Sequence, residues 1–297
     1  MRCLFLRLAV AAAAIVPSVL PCQASGLGTI VPAYFYPGTG GPGGAGDGWA
    51  AMAAAAAEIP LIAIFNPNSG PLTGPADPNY VTAMTNLETS GGKVVAYIYT
   101  ANGSAPLPTL ESQIDTYITQ YGSLIDGFFL DGMNLVPSTL SYYQSLDSFI
   151  EGLNSSYTVA ANPGQPFLNG VPPNDYLSTA NLFDLFEGDD ASFASYPDSL
   201  NWFQSYSSSQ FSNIVYDVPS SDVSADLSKA AGLNAGYVYL TDQTLNPPSG
   251  YLYDQLPSYW DQEVADLAAT ATPEPATAAL FLLGGLLATR LRKRSLR

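Results

Sequence analysis

The sequence contains no histidine, and its two cysteines, Cys3 and Cys22, both lie within the first 24 residues. Without histidine, the chain has no Ser-His-Asp or Cys-His catalytic centre, no histidine-ligated metal site and no imidazole proton shuttle. Because no cysteine follows Cys22, the chain beyond it has no internal disulfide. Its chemistry must come from carboxylates, tyrosines and amides, or from a calcium-type ion held by oxygen ligands. We expect no cofactor and no bound metal.

Basic residues are also scarce. Of the nine lysines and arginines, two lie in the first 24 residues and five follow residue 289, which leaves Lys93 and Lys229. All of the 25 acidic residues except Glu274 lie between these two ends. A body this negative repels nucleic acid and anionic polysaccharide, so we expect neutral or cationic partners and no nucleic acid.

The first 24 residues have the pattern of an export signal. Arg2 and Arg7 precede an apolar stretch, residues 8–20, which is followed by Cys22, Gln23 and Ala24. This order predicts a secretory signal peptide over residues 1–24, cleaved after Ala24. A lipoprotein linked through Cys22 is the alternative, although a proline stands where a small residue is normally required.

The other end of the chain has a second targeting pattern. Pro273, Glu274 and Pro275 precede an apolar run over residues 276–289 and then an arginine-rich tail. A run of about 14 residues is short for a membrane-spanning helix, although basic residues after it would hold it at a membrane. Residues 271–297 resemble the PEP-CTERM sorting signal of bacterial exported proteins, and the resemblance implies cleavage by an exosortase. An ordinary membrane anchor is the alternative.

In both cases we expect the body, residues 25–270, to lie outside the cytoplasm. It would be extracellular or at the cell surface, and it would contact a membrane only through the C-terminal segment, transiently or permanently. Nothing in the sequence indicates the oligomeric state.

Within the body, short aromatic and aliphatic runs recur about every 30 residues, each ending in polar residues. The runs read IVPAYFYP, PLIAIFNPNSGP, KVVAYIYTANG, IDGFFLDGM, YTVAANPGQ, LFDLFEGDD, SNIVYDVP and AGYVYLTDQ. Helical patterns lie between them, including one capped by Asp77 and a last one over residues 254–267. This rhythm predicts an α/β fold with one domain, a single (β/α)8 barrel of the TIM type.

In such a barrel the carboxyl ends of the strands form the face that carries the active site. The polar residues at the predicted strand ends are Asn66, Asp131, Asn162, Glu187, Asp217 and Asp242. The last aromatic residues of three runs lie beside them, namely Tyr36, Tyr99 and Tyr239. Carboxylates, amides and tyrosines on one rim are typical of a sugar-binding site.

Cleavage of a glycosidic bond normally uses two carboxyl groups. Asp131 closes the apolar fourth run, and Glu187 closes the sixth with Asp189 and Asp190 behind it. Neighbouring acids raise one another's pKa, so we expect Glu187 to have the raised pKa of a general acid. Asp217 competes for the second role. Asp242 either orients substrate or caps the last loop.

Taken as an ordered set, several of these motifs resemble the spherulin-4 (spherulation-specific) family. The motifs are VPAYFYP, IAIFNPNSGP followed by DPNY, GGKVVAYIYT, IDGFFLD, ANPG, FE and YVYLTD followed by LPSYWD. The resemblance covers residues 30–267. It implies a (β/α)8 glycoside hydrolase acting on α-1,4-linked galactosamine or N-acetylgalactosamine polymers.

The resemblance also implies an Asp-Glu pair after strand four and a glutamate after strand six. Asp131 and Glu187 match the first and last of these acids, and Gly132 stands in the place of the middle one. Our main hypothesis is an exported hydrolase of galactosamine-type exopolysaccharide, with Asp131 and Glu187 as the catalytic carboxyls. The remaining rim residues would bind and position the sugar.

Two alternatives remain open at this point. The first is a non-catalytic polysaccharide-binding protein of the cell surface or biofilm matrix, in which Gly132 marks a degenerate site. The second is a structural protein of the cell envelope whose barrel has no ligand. The sequence does not separate a retaining from an inverting mechanism.

Overall fold

The computed structural model describes residues 26–164, 173–196, 202–245 and 252–270. The predicted signal peptide and C-terminal segment lie outside these ranges and stay predictions. Eight parallel strands form one sheet in chain order, with helices between them, so the (β/α)8 barrel is confirmed. The strands are β1 (Thr29–Ala33), β2 (Leu61–Phe65), β3 (Lys93–Tyr99), β4 (Gly127–Asp131), β5 (Thr158–Asn162), β6 (Leu182–Asp189), β7 (Phe211–Tyr216) and β8 (Tyr237–Leu240). The helices are α1 (Gly48–Ala56), α2 (Pro78–Thr89), α3 (Leu107–Tyr121), α4 (Leu140–Leu153), α5 (Pro173–Tyr176), α6 (Asp190–Ala194), α7 (Val223–Gly232) and α8 (Trp260–Thr270).

The barrel closes between β8 and the residue before β1. The N–H of Gly28 donates to the carbonyl of Gly236 at 2.9 Å, and its carbonyl accepts the N–H of Val238 at 2.9 Å. A Cβ atom at Gly28 would lie 2.7 Å from the carbonyl oxygen of Pro60 and 2.9 Å from the ring of Tyr237. A glycine is therefore required where the first and last strands meet.

The strands lie between the barrel interior and the ring of helices, so both of their faces are buried. All five residues of β1 and of β2 are buried, and β3 exposes only its two end residues. This explains why the strands are continuous apolar runs without the alternation of a half-exposed sheet.

The helices cover the barrel with one apolar face each. In α3 the buried residues are Leu110, Ile114, Tyr117 and Tyr121, which fall on one side of a helix. Helix α2 begins as predicted, because the side chain of Asp77 accepts the N–H of residue 79 at 2.8 Å. Within the described residues, no helix is both long and apolar enough to cross a bilayer.

The prediction of a last helix from residue 254 is wrong at its start, because α8 begins at Trp260. Pro257 has no N–H and disfavours a helical conformation at the residue before it. The chain therefore stays irregular over residues 252–259, and this segment lies against the strand ends.

Candidate active site

Three predicted site residues meet at the carboxyl ends of β4, β5 and β6. Nδ2 of Asn162 donates to Oδ1 of Asp131 at 3.1 Å and to Oε2 of Glu187 at 2.6 Å. Because both oxygens bind the same nitrogen, they lie within about 6 Å of each other, close to the separation of a glycosidase carboxyl pair. The structure thus brings Asp131, Asn162 and Glu187 into one cluster.

A tyrosine hydroxyl completes the hydrogen bonding of each carboxyl. Tyr97 donates to Oδ2 of Asp131 at 2.6 Å, and Tyr253 donates to Oε1 of Glu187 at 2.9 Å. Between these tyrosines lies Tyr34, with ring centroids 5.9 Å from Tyr97 and 5.8 Å from Tyr253 in edge-to-face contact. Three tyrosines therefore form a wall beside the two acids.

An irregularity in β6 turns Glu187 toward the barrel interior. Asp184 pairs with Ser212 of β7, but Phe186 pairs with the very next residue of β7, so β6 contains one extra residue. The Phe186 ring packs on Phe193 of the outer helix α6, with centroids 4.9 Å apart. Strict alternation from the inward-facing Asp184 would point Glu187 outward, and the bulge reverses this.

Asp184 adds a third carboxyl to the barrel interior. It is buried, Oδ1 accepts the hydroxyl of Ser212 at 3.1 Å, and Oδ2 has no hydrogen-bond partner among the described residues. Burial, together with the charge of Glu187, raises the pKa of Asp184 well above its usual value. Lys93 is exposed at the start of β3, and Lys229 donates to the carbonyls of Ala194 and Tyr196 at the end of α6, so neither neutralises these acids.

The pKa of Glu187 is raised above its ordinary value. Burial is the main cause and the charge of Asp131 adds to it, while the two hydrogen bonds that Glu187 accepts act in the opposite direction. The expected source, Asp189 with Asp190, does not act on Glu187. Asp189 turns away to accept the N–H of Ser192 at 2.7 Å, and this bond lowers its own pKa.

A cleft of about 620 Å³ opens beside the tyrosine wall. Asn66 is held at its edge, because Oδ1 accepts the N–H of Gly70 at 3.1 Å. The lining residues are Tyr34, Asn66, Pro67, Asn68, Ser69, Tyr97, Leu245, Leu252 and Asp254. Within the described residues, no group of three or more acidic side chains is arranged to hold a metal ion.

Tyr99 lies at the rim, 49% exposed, as its position at the end of a run predicts. Its ring covers Gly132, where a Cβ atom would be 2.7 Å from Cε2 of Tyr99. Gly132 also has a φ of +66°, which disfavours any other residue. The position at which the family resemblance implies a second acid is therefore occupied by a glycine beneath an aromatic ring.

Tyr36 is 43% exposed but faces away from the carboxyl pair. Its hydroxyl donates to Asp77 at 2.9 Å and accepts Nδ2 of Asn79 at 2.6 Å, while its ring contacts Tyr80 of α2. Tyr36 is not among the residues that line the cleft. Its place is on the outer rim, above α2.

The remaining predicted residues lie apart from the pair. The expectation that Tyr239 reaches the rim is wrong: β8 continues past it, and its ring is fully buried against Tyr253 with centroids 6.2 Å apart. Asp217 is exposed just after β7. Asp242 accepts the N–H and hydroxyl of Ser258, so it caps the loop before α8, which is the second of its two predicted roles.

Sequence reasoning did not assign Tyr253, Asp184 or Tyr97 to the site. Tyr97 had a usable signal, since a residue two positions before the rim residue Tyr99 faces the same interior one layer deeper. Tyr253 follows no strand run, and Asp184 faces inward together with Glu187 only because of the bulge.

Known proteins share this fold and sequence pattern. Residues 28–267 match the family model described as spherulation-specific family 4. Spherulin-4 of Physarum polycephalum is 30% identical over 250 residues, which cover 81% of this chain and 70% of that protein. The crystal structure of Aspergillus clavatus Sph3 in complex with GalNAc superposes with a TM-score of 0.66 at 23% identity, covering 83% of this chain and 99% of that one.

Proposed function

Because the chain belongs to spherulation-specific family 4, we propose that it is an exported glycoside hydrolase that uses Asp131 and Glu187 as its two catalytic carboxyls. The observation that carries this proposal is the shared hydrogen bond. One amide nitrogen of Asn162 holds both carboxyls, at 3.1 and 2.6 Å, at the end of the barrel where such enzymes act.

The environment of the two acids supports different roles for them. Burial raises the pKa of Glu187, which favours the protonated form that a general acid needs, so we assign to Glu187 the donation of a proton to the glycosidic oxygen. The Asp131 carboxylate attacks the anomeric carbon as that bond breaks, which gives a glycosyl ester on Asp131. Glu187, now ionised, removes a proton from water, and the resulting hydroxyl displaces Asp131 from the sugar.

The spacing supports retention of configuration. Retaining glycosidases hold their carboxyls about 5–5.5 Å apart, whereas inverting ones leave about 6.5–9.5 Å for a water molecule. The shared Asn162 nitrogen keeps the facing oxygens of Asp131 and Glu187 within about 6 Å, which fits the first class better.

The substrate that we propose is a polymer of galactosamine or N-acetylgalactosamine. Sph3 was crystallised in complex with GalNAc, and the family resemblance points to the same sugars. The interior holds Asp131, Asp184 and Glu187, and Asp254 lines the cleft, so a neutral or cationic chain fits better than an anionic one. In this proposal Asn66 at the cleft and Tyr99 at the rim contact sugar units of the polymer.

The predicted signal peptide and PEP-CTERM-like segment support action outside the cytoplasm, on exopolysaccharide at the cell surface or in a biofilm. An exosortase-type enzyme would process the C-terminal segment. Both points rest on sequence patterns in residues 1–24 and 271–297.

A second function has one observation in its favour. Gly132 stands where the family resemblance implies an acid, and Tyr99 fills the space above it. If the missing acid is the proton donor, the protein binds the polysaccharide through its tyrosines and cleft without cleaving it.

The test is to incubate the purified protein with galactosaminogalactan and with poly-N-acetylgalactosamine, and to measure new reducing ends. We expect cleavage that Glu187→Gln and Asp131→Asn abolish, and that Glu58→Gln leaves intact because Glu58 is exposed after α1. Binding without product, unchanged by Glu187→Gln, would identify a binding protein. No response to either polymer would leave the structural envelope protein.

A further inference from the structure

Tyr253 has a backbone conformation that bulky residues rarely adopt. Its φ is +73°, in the left-handed region, and its side chain is only 5% exposed. Such strain costs about 1–3 kcal/mol and persists where surrounding contacts determine the conformation, often at functional sites. Tyr253 belongs to no helix or strand, since it lies between β8 and α8.

Gln243 supplies the contacts that hold this backbone. Its Oε1 accepts the N–H of Tyr253 at 2.8 Å, and its Nε2 donates to the carboxylate of Asp254, the next residue. The backbone N–H of Gln243 donates to the hydroxyl of Thr241 at 3.2 Å, directly after β8. One amide side chain therefore fastens residues 253 and 254 to the end of the barrel.

The ring of Tyr253 is fixed as firmly as its backbone. It makes edge-to-face contact with Tyr34 at 5.8 Å and a tilted contact with Tyr239 at 6.2 Å. Its hydroxyl donates to Oε1 of Glu187 at 2.9 Å. The other oxygen of Glu187 accepts from Asn162, so two donors on different elements set the rotation of the carboxyl group.

Besides Tyr253, five acidic or tyrosine side chains surround Glu187 or act on it electrostatically. They are Tyr34 after β1, Tyr97 on β3, Asp131 on β4, Asp184 on β6 and Tyr216 on β7. No lysine or arginine among the described residues contributes to the shift of Glu187. Its carboxylate form is therefore stabilised by hydrogen bonds alone, one of which comes from Tyr253.

We infer that Tyr253 is a positioning residue of this site, and that the side chain of Gln243 holds it in place. The strained segment before α8 delivers one hydroxyl to the catalytic glutamate and aims that carboxyl across the pocket at Asp131. The inference rests on the proposed function, because only that function makes Glu187 a catalytic residue. The contact and its effect on Glu187 can nevertheless be measured without any turnover.

The test compares Tyr253→Phe with Tyr117→Phe in the full-length chain. Tyr117 is a buried tyrosine of α3 whose hydroxyl has no hydrogen-bond partner among the described residues. Glutamate labelled with ¹³C at the carboxyl reports titration by NMR, and the Glu187 signal is identified by its loss in Glu187→Gln. Loss of a donor to the carboxylate should raise the pKa of Glu187 by about one pH unit in Tyr253→Phe.

For turnover we expect kcat to fall about tenfold with KM changed less than about twofold, because the hydroxyl donates to the proposed acid and should act on the chemical step more than on binding. Gln243→Ala should raise the pKa of Glu187 in the same direction, and the double variant should show less than the sum of the two shifts. Tyr117→Phe should change neither quantity.

A folded Tyr253→Phe protein in which Glu187 titrates as in Tyr117→Phe would overturn the inference. If the wild-type protein cleaves nothing, the proposed function fails, and the titration alone then decides the role of Tyr253.

Discussion

Asp131 and Glu187 accept hydrogen bonds from the same atom, Nδ2 of Asn162. An amide NH₂ group has two hydrogens, so it can serve two carboxyls at once and set the distance between them. The amide is itself fixed, because Asn162 ends β5 between the strands that carry the two acids. The spacing of the pair is thus a property of the barrel and not of mobile loops.

Removal of this bridge should impair catalysis more than folding. Asn162→Ala leaves each carboxyl with one tyrosine donor and lets the two groups separate, so we expect kcat/KM to fall about 100-fold. Asn154→Ala, at an exposed turn after α4, is the matched control and should retain full activity. Equal losses in both variants, or a loss explained by a lower melting temperature, would contradict the assigned role.

The pH profile should report Glu187. A general acid works only while protonated, and burial raises its pKa, so activity should persist to higher pH than an ordinary glutamate allows. The alkaline limb of kcat/KM should follow the raised pKa of Glu187.

The anomer first formed, observed by ¹H NMR, should have the configuration of the substrate. An inverted product would exclude the glycosyl ester on Asp131.

A side chain at Gly132 should destabilise the fold. Gly132→Ala forces an alanine to φ +66° and places its Cβ 2.7 Å from the Tyr99 ring, so we expect a loss of about 1–2 kcal/mol in unfolding free energy. In a Tyr99→Ala background the steric part of this loss should disappear. Gly152→Ala is the control: it lies within α4 with open space around it, and it should stabilise the protein by about 0.5–1 kcal/mol. Urea unfolding of the four variants measures these differences.

Glu263 should make stability depend on pH. It is fully buried on α8, accepts the N–H of Leu240 at 2.9 Å, and burial raises its pKa to about 8. A carboxyl whose folded pKa is raised contributes stability below its unfolded pKa, and this contribution is lost as pH rises through the folded value. We therefore compare the unfolding free energy of Glu263→Gln with that of the wild type at two pH values. Between pH 4 and pH 9 this difference should shift in favour of the variant by on the order of 2 kcal/mol. A pH-independent difference would show that Glu263 is ionised in the folded protein.

The barrel and half of its site could be predicted from the sequence because their determinants are local. Apolar runs ending in Asp131 or Asn162 specify both a buried strand and the end at which the polar residue must lie. The same reasoning failed at Tyr239, because the residues of this run do not indicate where β8 ends. Strand-end position alone also could not separate Asp242, which caps a loop, from a residue of the site.

The missed residues depend on contacts between distant parts of the chain. Tyr253 reaches Glu187 only because Gln243 holds a strained backbone, and neither residue has a sequence pattern that reveals the other. The source of the raised pKa of Glu187 was misjudged for a similar reason. Asp189 and Asp190 are its neighbours in sequence, but burial in the barrel is what raises its pKa most, and the charge that adds to this effect belongs to Asp131 on a separate strand.

One residue in excess within β6 has a consequence for how this chemistry can be gained or lost. Deletion of the unpaired residue, Leu185, would make β6 regular and would leave Asp184 and Glu187 both facing the barrel interior. If Leu185 is kept and the ladder becomes regular, Glu187 turns into the helical layer and Phe186 faces the interior, because a slip of one residue exchanges the two faces of a strand. The inward glutamate can therefore be lost by a change in the register of β6, without any substitution at position 187.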